Sequence, residues 1–289
     1  MIWAYTLSSA KFHSQDISSI GEIEELAKKA GWVWVDCVAP DEEELQILAK
    51  LFESKKAIDI IKSQKILSSY EKINDHVLIQ LVLADFIEKL ETHPLYVFAN
   101  EHVTVTVRTE KMSRPIKSTL DILQDCVKKV KCETSSSFVV SRLFHEVVGE
   151  NLDVIVTMRD HISEIEQKAL EEAADKNIDH TVFTLKREIT KFERILWVQR
   201  EIMLAIEEGV VPSIQPTKID KQTLNHTVRN LSRELSLISS HSDALDSVLT
   251  VRGLGMIHRV ETNLIYLTII LVILTALLIL LELGVLHFV

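Results

Sequence analysis

Up to about residue 110, short runs of β-branched and aromatic residues alternate with stretches of helical periodicity. Strands are predicted at 2–7, 32–38, 77–83, 95–99 and 103–107. The acidic turn 41–44 predicts a helix start, because negative charge stabilises a helix N-terminus. The run 102–109 alternates strictly between apolar and polar positions and predicts a strand with one buried and one solvated face. These patterns predict a mixed α/β domain over 1–135.

Beyond residue 136 strand patterns disappear and helix-forming residues dominate. Two long helices are predicted at 136–173 and 180–209. A third begins near residue 216 and, if it continues to residue 281, is roughly 100 Å long. No compact domain needs so long a helix, whereas a stalk that enters a membrane does. The predicted organisation is an α/β domain at 1–135, long antiparallel helices at 136–215, a stalk at 216–263 and a transmembrane helix at 264–283.

The 18 residues from Leu264 to Leu281 contain no charged side chain. At 1.5 Å per residue they span roughly 27 Å, close to the ~30 Å hydrocarbon core of a bilayer. The alternative is a buried core helix, but the run has no polar face to turn outward. Arg252 and Arg259 precede the run. The positive-inside rule therefore predicts a single crossing of the cell membrane, with the N-terminal domain in the cytoplasm.

Polar residues recur at every seventh position along this segment. They are Glu261, Thr268, Thr275 and Glu282, and Leu264, Leu271 and Leu278 each follow a polar position by three residues. Seven residues are nearly two helical turns, so each set lies on one side of the helix. In a ring of parallel helices, this side would form a lumen with acidic rings that select cations and leucine rings that gate by dewetting. Alternatively, the threonine hydroxyls bond back to i−4 carbonyls and the glutamates mark the membrane boundary.

Composition and motif content narrow the function further. The formal net charge of −10 argues against nucleic-acid binding, which needs a basic face. The three cysteines, Cys37, Cys126 and Cys132, are expected to be reduced thiols. No set of nucleophile, base and orienting group and no cofactor motif is found, so no enzymatic activity is expected. Asp243 and Asp246 on the stalk are candidate metal ligands, with a solvated helix face as the alternative.

Four segments, in the same order along the chain, resemble the CorA family of divalent-cation channels. They are Trp34-Val35-Asp36 with 39–45, Tyr70-Glu71-Lys72 before a strand, the strand 103–108, and Leu267-Thr268-Ile269-Ile270 at the start of the apolar run. The resemblance implies a cytosolic α+β domain with a mixed sheet between helical layers, followed by long helices, a stalk and a pore-lining span. It also implies a homopentamer in the lipid bilayer that transports Mg²⁺, with Co²⁺, Ni²⁺ and Zn²⁺ as further candidates.

The resemblance also assigns roles to residues. Its pore-lining positions include Glu261, Leu264, Leu271, Thr275 and Leu278, which overlap the polar stripe found from spacing. Carboxylates between subunits bind regulatory Mg²⁺ in the family, and Asp243 and Asp246 are the candidates here.

The chain departs from the family at the signature Gly-Met-Asn that follows the first span. The matching residues are Val285, Leu286 and His287, or Gly284, Val285 and Leu286 after a one-residue shift, and neither set contains asparagine. The family's second span is also not found. Three interpretations stay open: a truncated product, a divergent one-span channel, or a non-conducting, membrane-anchored metal sensor or regulatory protein. His287 is either a ligand for a softer metal such as zinc or cobalt, or a frayed terminal residue.

Overall fold

The computed structural model describes residues 1–8, 11–64, 66, 69–128, 135–171 and 177–286. Its strands are β1 (Ile2–Ser8), β2 (Lys11–Asp16), β3 (Val33–Val38), β4 (Glu71–Ile73), β5 (His76–Phe86), β6 (Leu90–Ala99) and β7 (Val103–Arg108). Its α-helices are α1 (Ile20–Ala30), α2 (Glu42–Leu51), α3 (Lys55–Ser63), α4 (Ser113–Lys128), α5 (Ser136–Glu171), α6 (Asn177–Glu207) and α7 (Lys218–Leu286). The five predicted strands are confirmed, and β2 and β4 are additional.

Within the described residues the strands form one sheet in the order β2-β1-β3-β7-β6-β5-β4. Only the β3–β7 pair is parallel, and the other neighbours pair antiparallel. The sheet is therefore mixed, as predicted. Parallel strands need a long connection. Here β3 is connected to β7 through α2, α3 and the antiparallel strands β4, β5 and β6.

The prediction of one solvated face on β7 is wrong. All five residues Val103–Val107 are buried, including Thr104 and Thr106. β7 lies in the middle of the sheet with helices packed over both faces, so its polar side chains need partners inside the protein. The Thr104 hydroxyl donates to Ser136 Oγ at 2.8 Å, and the Thr106 hydroxyl donates to Asp36 Oδ1 at 2.7 Å.

One face of the sheet packs against α1, α2 and α3 around an aliphatic and aromatic core. Phe52, at the end of α2, stacks on Phe98 of β6 with a ring-centroid distance of 4.0 Å. The predicted helix start at 41–44 is confirmed by a capping box in which Asp41 accepts from the backbone N–H of Glu44 at 2.8 Å. Each such cap contributes about 1 kcal/mol.

The opposite face is covered by the long helices. The Trp32 indole donates to Ser136 at the start of α5, and the Gln199 amide on α6 donates to the Val82 carbonyl on β5 at 2.8 Å. Cys37 is buried and unpaired with another cysteine, Cys126 is also a free thiol, and Cys132 lies outside the described residues.

The three long predicted helices are confirmed as α5, α6 and α7. The chain divides into two compact units. The first comprises Met1–Met158 and Glu188–Ser239 and contains the sheet; the second comprises Arg159–Arg187 and α7 from Ser240 onward. The division into segments at residues 135, 215 and 263 remains a prediction.

Candidate functional site

The C-terminal part of α7 has no protein covering it. Among its described residues, Arg252 is the last buried one, and none of those that follow, up to Leu281, is buried. By length and composition, α7 is the one helix in the described part of the chain that could cross a membrane. Exposed apolar side chains also precede the predicted span, at Leu254, Met256, Ile257 and Val260. The predicted span begins at Leu264, after Asn263, and therefore excludes these residues.

The two threonines of the polar stripe bond to their own helix. Thr268 Oγ1 donates to the Leu264 carbonyl at 2.7 Å, and Thr275 Oγ1 donates to the Leu271 carbonyl at 2.9 Å. This local bonding is the alternative to a lumen that the sequence allows. It uses the single hydroxyl hydrogen and leaves oxygen lone pairs that can accept a hydrogen bond or face a cation. The observed bonding is thus compatible with both interpretations.

The stripe begins and ends with a glutamate. Glu261 is exposed, and its carboxylate lies 3.9 Å from His258 Nδ1 one turn earlier. Leu264, Leu271 and Leu278 are also exposed. Glu282 and residues Gly284, Val285 and Leu286 belong to the last turns of α7, whereas His287 lies outside the described residues. Their assignment to a selectivity position stays a prediction.

The stalk carboxylates Asp243 and Asp246 are both exposed on α7. Asp246 forms an ion pair with Lys186 of α6. In the described ranges, no group of three or more His, Cys, Asp or Glu side chains is arranged to hold a metal ion. One copy of this region therefore supplies an incomplete ligand set, and a metal site at Asp243 and Asp246 would need ligands from another chain or from water.

The two arginines used to orient the span have different environments. Arg252 is buried and forms an ion pair with Asp179 of α6. Arg259 is exposed one turn before the apolar run. The charge of Arg252 is largely compensated inside the second unit, so Arg259 is the stronger juxtamembrane signal.

A buried carboxyl on α7, that of Glu234, was not predicted from the sequence. Glu234 is 7% exposed, and it accepts a hydrogen bond from Asn151 Nδ2 of α5 at 3.1 Å. Burial raises the pKa of Glu234 to about 7. A signal was present, because Glu234 occupies one of the heptad positions that are otherwise filled by buried residues such as Leu231 and Ile238.

Comparisons with known proteins agree with this architecture. The family model described as "CorA-like Mg2+ transporter protein" matches residues 29–281. The Cobalt/magnesium transport protein CorA of Methanocaldococcus jannaschii is 19% identical over 220 residues, covering 76% of this chain and 68% of that protein.

Solved structures show the same fold. The complete structure of the CorA magnesium transporter from Methanocaldococcus jannaschii matches with a TM-score of 0.71 and 18% identity, over 91% of this chain and 79% of that one. Full-length CmaX matches with a TM-score of 0.70 and 17% identity, over 93% and 81%. The ZntB cytoplasmic domain from Vibrio parahaemolyticus RIMD 2210633 matches with a TM-score of 0.62 and 9% identity, over 89% and 98%. With a family match over most of its length, the chain belongs to the CorA-like Mg²⁺ transporter family.

Proposed function

We propose that the protein is a divalent-cation channel of the cell membrane that carries Mg²⁺ as a homopentamer. The single observation that carries this proposal is the uncovered apolar end of α7 with its polar heptad stripe. A lone helix in lipid gains nothing from such a stripe, whereas parallel copies can turn it toward a shared water-filled path. The N-terminal domain then lies in the cytoplasm, and α7 crosses the bilayer once.

Carboxylate rings at the two ends of the stripe would concentrate cations. Copies of Glu261 and of Glu282 would form these rings, and the field of like charges attracts divalent ions and repels anions. The membrane potential adds about 2.3 kcal/mol per elementary charge per 100 mV to inward movement. Cation entry into the cytoplasm is therefore the favoured direction.

Between the carboxylate rings, hydroxyl and leucine rings would alternate. Thr268 and Thr275 donate their hydrogens to backbone carbonyls, so the hydroxyl oxygens can face the path with their lone pairs. Mg²⁺ sheds its water reluctantly, and these oxygens suit contact with a hydrated ion. Leu264, Leu271 and Leu278 would form apolar constrictions that close the path when it dewets.

Regulatory Mg²⁺ would bind between subunits of the cytosolic part. Asp243 and Asp246 are the candidate ligands, because both are exposed carboxylates on α7. Carboxylate oxygens are ligands that Mg²⁺ prefers. Co²⁺, Ni²⁺ and Zn²⁺ are further candidates for the transported ion. In this proposal Mg²⁺ is both the transported and the regulating ion.

The test is Mg²⁺ flux into liposomes that contain the purified full chain. We expect flux above that of empty liposomes and a severalfold loss in Thr275→Leu, because a hydroxyl ring becomes an apolar constriction. Thr262→Leu is the matched control: Thr262 makes the same backbone bond, to the His258 carbonyl at 2.8 Å, but lies off the stripe. Equal flux in both variants and the wild type would exclude this pore lining.

A second candidate is a membrane-anchored metal-sensing protein that does not conduct. The observation in its favour is that none of residues 284–287 is asparagine, where the family signature is Gly-Met-Asn. This candidate predicts that the oligomer is stabilised against heat by Mg²⁺ but gives no flux with Mg²⁺, Co²⁺ or Zn²⁺. The channel predicts flux with at least one of these ions, so the same liposomes decide between the two.

A further inference from the structure

A heptad pattern of buried side chains lines α7 within the first compact unit. The buried positions include Leu224, Thr227, Leu231 and Ile238, which are spaced by three, four and seven residues. Glu234 occupies the position between Leu231 and Ile238 and is buried with them. A carboxylate at such a position is costly unless it is neutral or well hydrogen-bonded.

The partner of Glu234 has an unused acceptor. Asn151 of α5 is completely buried, and its Nδ2 donates to Glu234 Oε2 at 3.1 Å. Asn151 Oδ1 is also buried and has no hydrogen-bond partner among the described residues. A protonated carboxyl is one O–H donor and one acceptor, which complements an amide, whereas an ionised carboxyl has only acceptors. The pair therefore lacks one hydrogen that a proton on Glu234 would supply.

Glu234 lines a polar cavity of about 440 Å³. The charged and titratable groups that line it are Arg114 of α4, His145, Glu146 and Glu150 of α5, and Arg233 of α7. Arg114 and Glu150 pair with each other at 2.9 Å. Glu234 accepts a hydrogen bond from neutral Asn151, and among the described side chains it has none with Arg114 or Arg233.

We propose that Glu234 and Asn151 form a proton-binding site that makes the packing of α7 against α5 depend on cytosolic pH. When protonated, Glu234 donates its O–H to Asn151 Oδ1 and keeps the bond from Nδ2. When the pH rises, the proton leaves to water in the cavity, and a buried negative charge with one neutral donor remains. Because α7 also contains the candidate membrane span, the site places a titrating group on that same helix.

The raised pKa of Glu234 determines whether its contribution to stability rises or falls with pH. Burial raises the pKa of Glu234 from 4.5 to about 7, and the bond from Asn151 lowers it by a smaller amount. Between these two values the folded protein holds a proton that the unfolded chain has lost. The contribution of Glu234 to stability is therefore largest below pH 4.5 and declines as the pH rises toward 7.

One buried and two partly buried histidines act in the opposite direction. Burial lowers the pKa values of His76, His145 and His241, so their contributions decline as the pH falls. The total pH profile of the wild type is the sum of both effects. The contribution of Glu234 is isolated only by comparison with a variant that cannot ionise at this position.

The first measurement is the Tm of the full chain in detergent from pH 5 to pH 8, for the wild type, Glu234→Gln and Glu208→Gln. Glu208 is the matched control because it is an exposed glutamate. We expect the wild-type Tm, relative to Glu234→Gln, to fall by about 5 °C over this range. The difference in Tm between the wild type and Glu208→Gln should stay constant over the same range. A pH profile of Glu234→Gln parallel to the wild type would overturn the proposal.

A second measurement covers the case in which Glu234→Gln does not fold. Infrared spectra of the wild-type protein should contain the C=O stretch of a protonated carboxyl that disappears with a midpoint near neutral pH. Asn151→Leu should shift the frequency of this band, because it removes the partner of Glu234, while Glu208→Gln should leave it unchanged. A wild-type protein without a band titrating near neutrality, or a band insensitive to Asn151→Leu, contradicts the proposal. Neither measurement depends on transport.

Discussion

Polar side chains at the centre of the sheet are buried and hydrogen-bonded within the chain, whereas the side chains of the C-terminal part of α7 are largely exposed. In the sheet, Asp36 is 1% exposed and forms three hydrogen bonds with Arg108, at 2.9 to 3.1 Å, and one with Thr106. In α7 beyond residue 254, no described residue is buried. The first region is complete within one chain, whereas the second needs lipid, further copies of the chain, or both. The comparison separates what one chain specifies from what its surroundings must add.

The largest expected difference concerns apolar truncations in the two regions. Phe98→Ala removes a fully buried ring that stacks on Phe52, so we expect a loss of about 3–5 kcal/mol in the free energy of unfolding. Leu271→Ala removes a side chain that is 62% exposed. We expect it to change the free energy of unfolding of the sheet by less than about 0.5 kcal/mol.

Urea unfolding of the full chain in detergent, followed by a signal from the sheet, measures both values. Phe183→Ala is the matched control for Phe98→Ala, because Phe183 is exposed on α6 and its loss leaves no cavity. Equal costs for Phe98→Ala and Leu271→Ala would show that the α7 end is packed inside the chain, and the comparison would be wrong.

A smaller effect is expected at the Glu261 end of the proposed path. Glu261→Gln removes the charge of one carboxylate ring, and loss of electrostatic focusing should reduce Mg²⁺ flux about tenfold at low salt. The exposed position of Glu261 predicts an unchanged Tm of the sheet. Flux and Tm measured on the same preparation check this. A lower Tm with unchanged flux would assign Glu261 a structural role instead.

The smallest effect is expected at the ion pair between Lys186 and Asp246. Lys186→Ala should change stability by less than about 1 kcal/mol, because Asp246 is more than half exposed. If Asp246 also binds Mg²⁺, loss of the competing ammonium should lower the Mg²⁺ concentration that half-stabilises the oligomer against heat. The same concentration in Lys186→Ala and the wild type would argue against Asp246 as a ligand.

Much of the fold was predictable because its signals are local. The helix start at 41–44, the runs of β-branched and aromatic residues and the long helices depend on neighbouring residues. β2 and β4 were missed because they are short edge strands with many polar residues. The solvated face of β7 was predicted wrongly because Thr104 and Thr106 are buried by partners far away in sequence, Ser136 and Asp36.

The candidate site was predictable only as a pattern. The spacing of Glu261, Thr268, Thr275 and Glu282 can be counted in the sequence, but what the stripe faces depends on copies of the chain. Glu234 is a different case, because its hydrogen-bond partner, Asn151, is distant in sequence. Local sequence patterns do not link the two residues. Heptad analysis of α7 finds the position but not the partner.

The parallel pair of β3 and β7 has a consequence for the order of folding. The β5–β6 hairpin and the β6–β7 pair join nearby segments, whereas β3 pairs Val33 with Val103. Closing this long loop costs more chain entropy, so we expect β3 to join after β5, β6 and β7 have assembled. Substitutions in the β5–β6 turn should then slow folding, while substitutions in β3 should mainly accelerate unfolding. The lifetime of the folded sheet would thus depend on β3 and β7, the one parallel pair among the described strands.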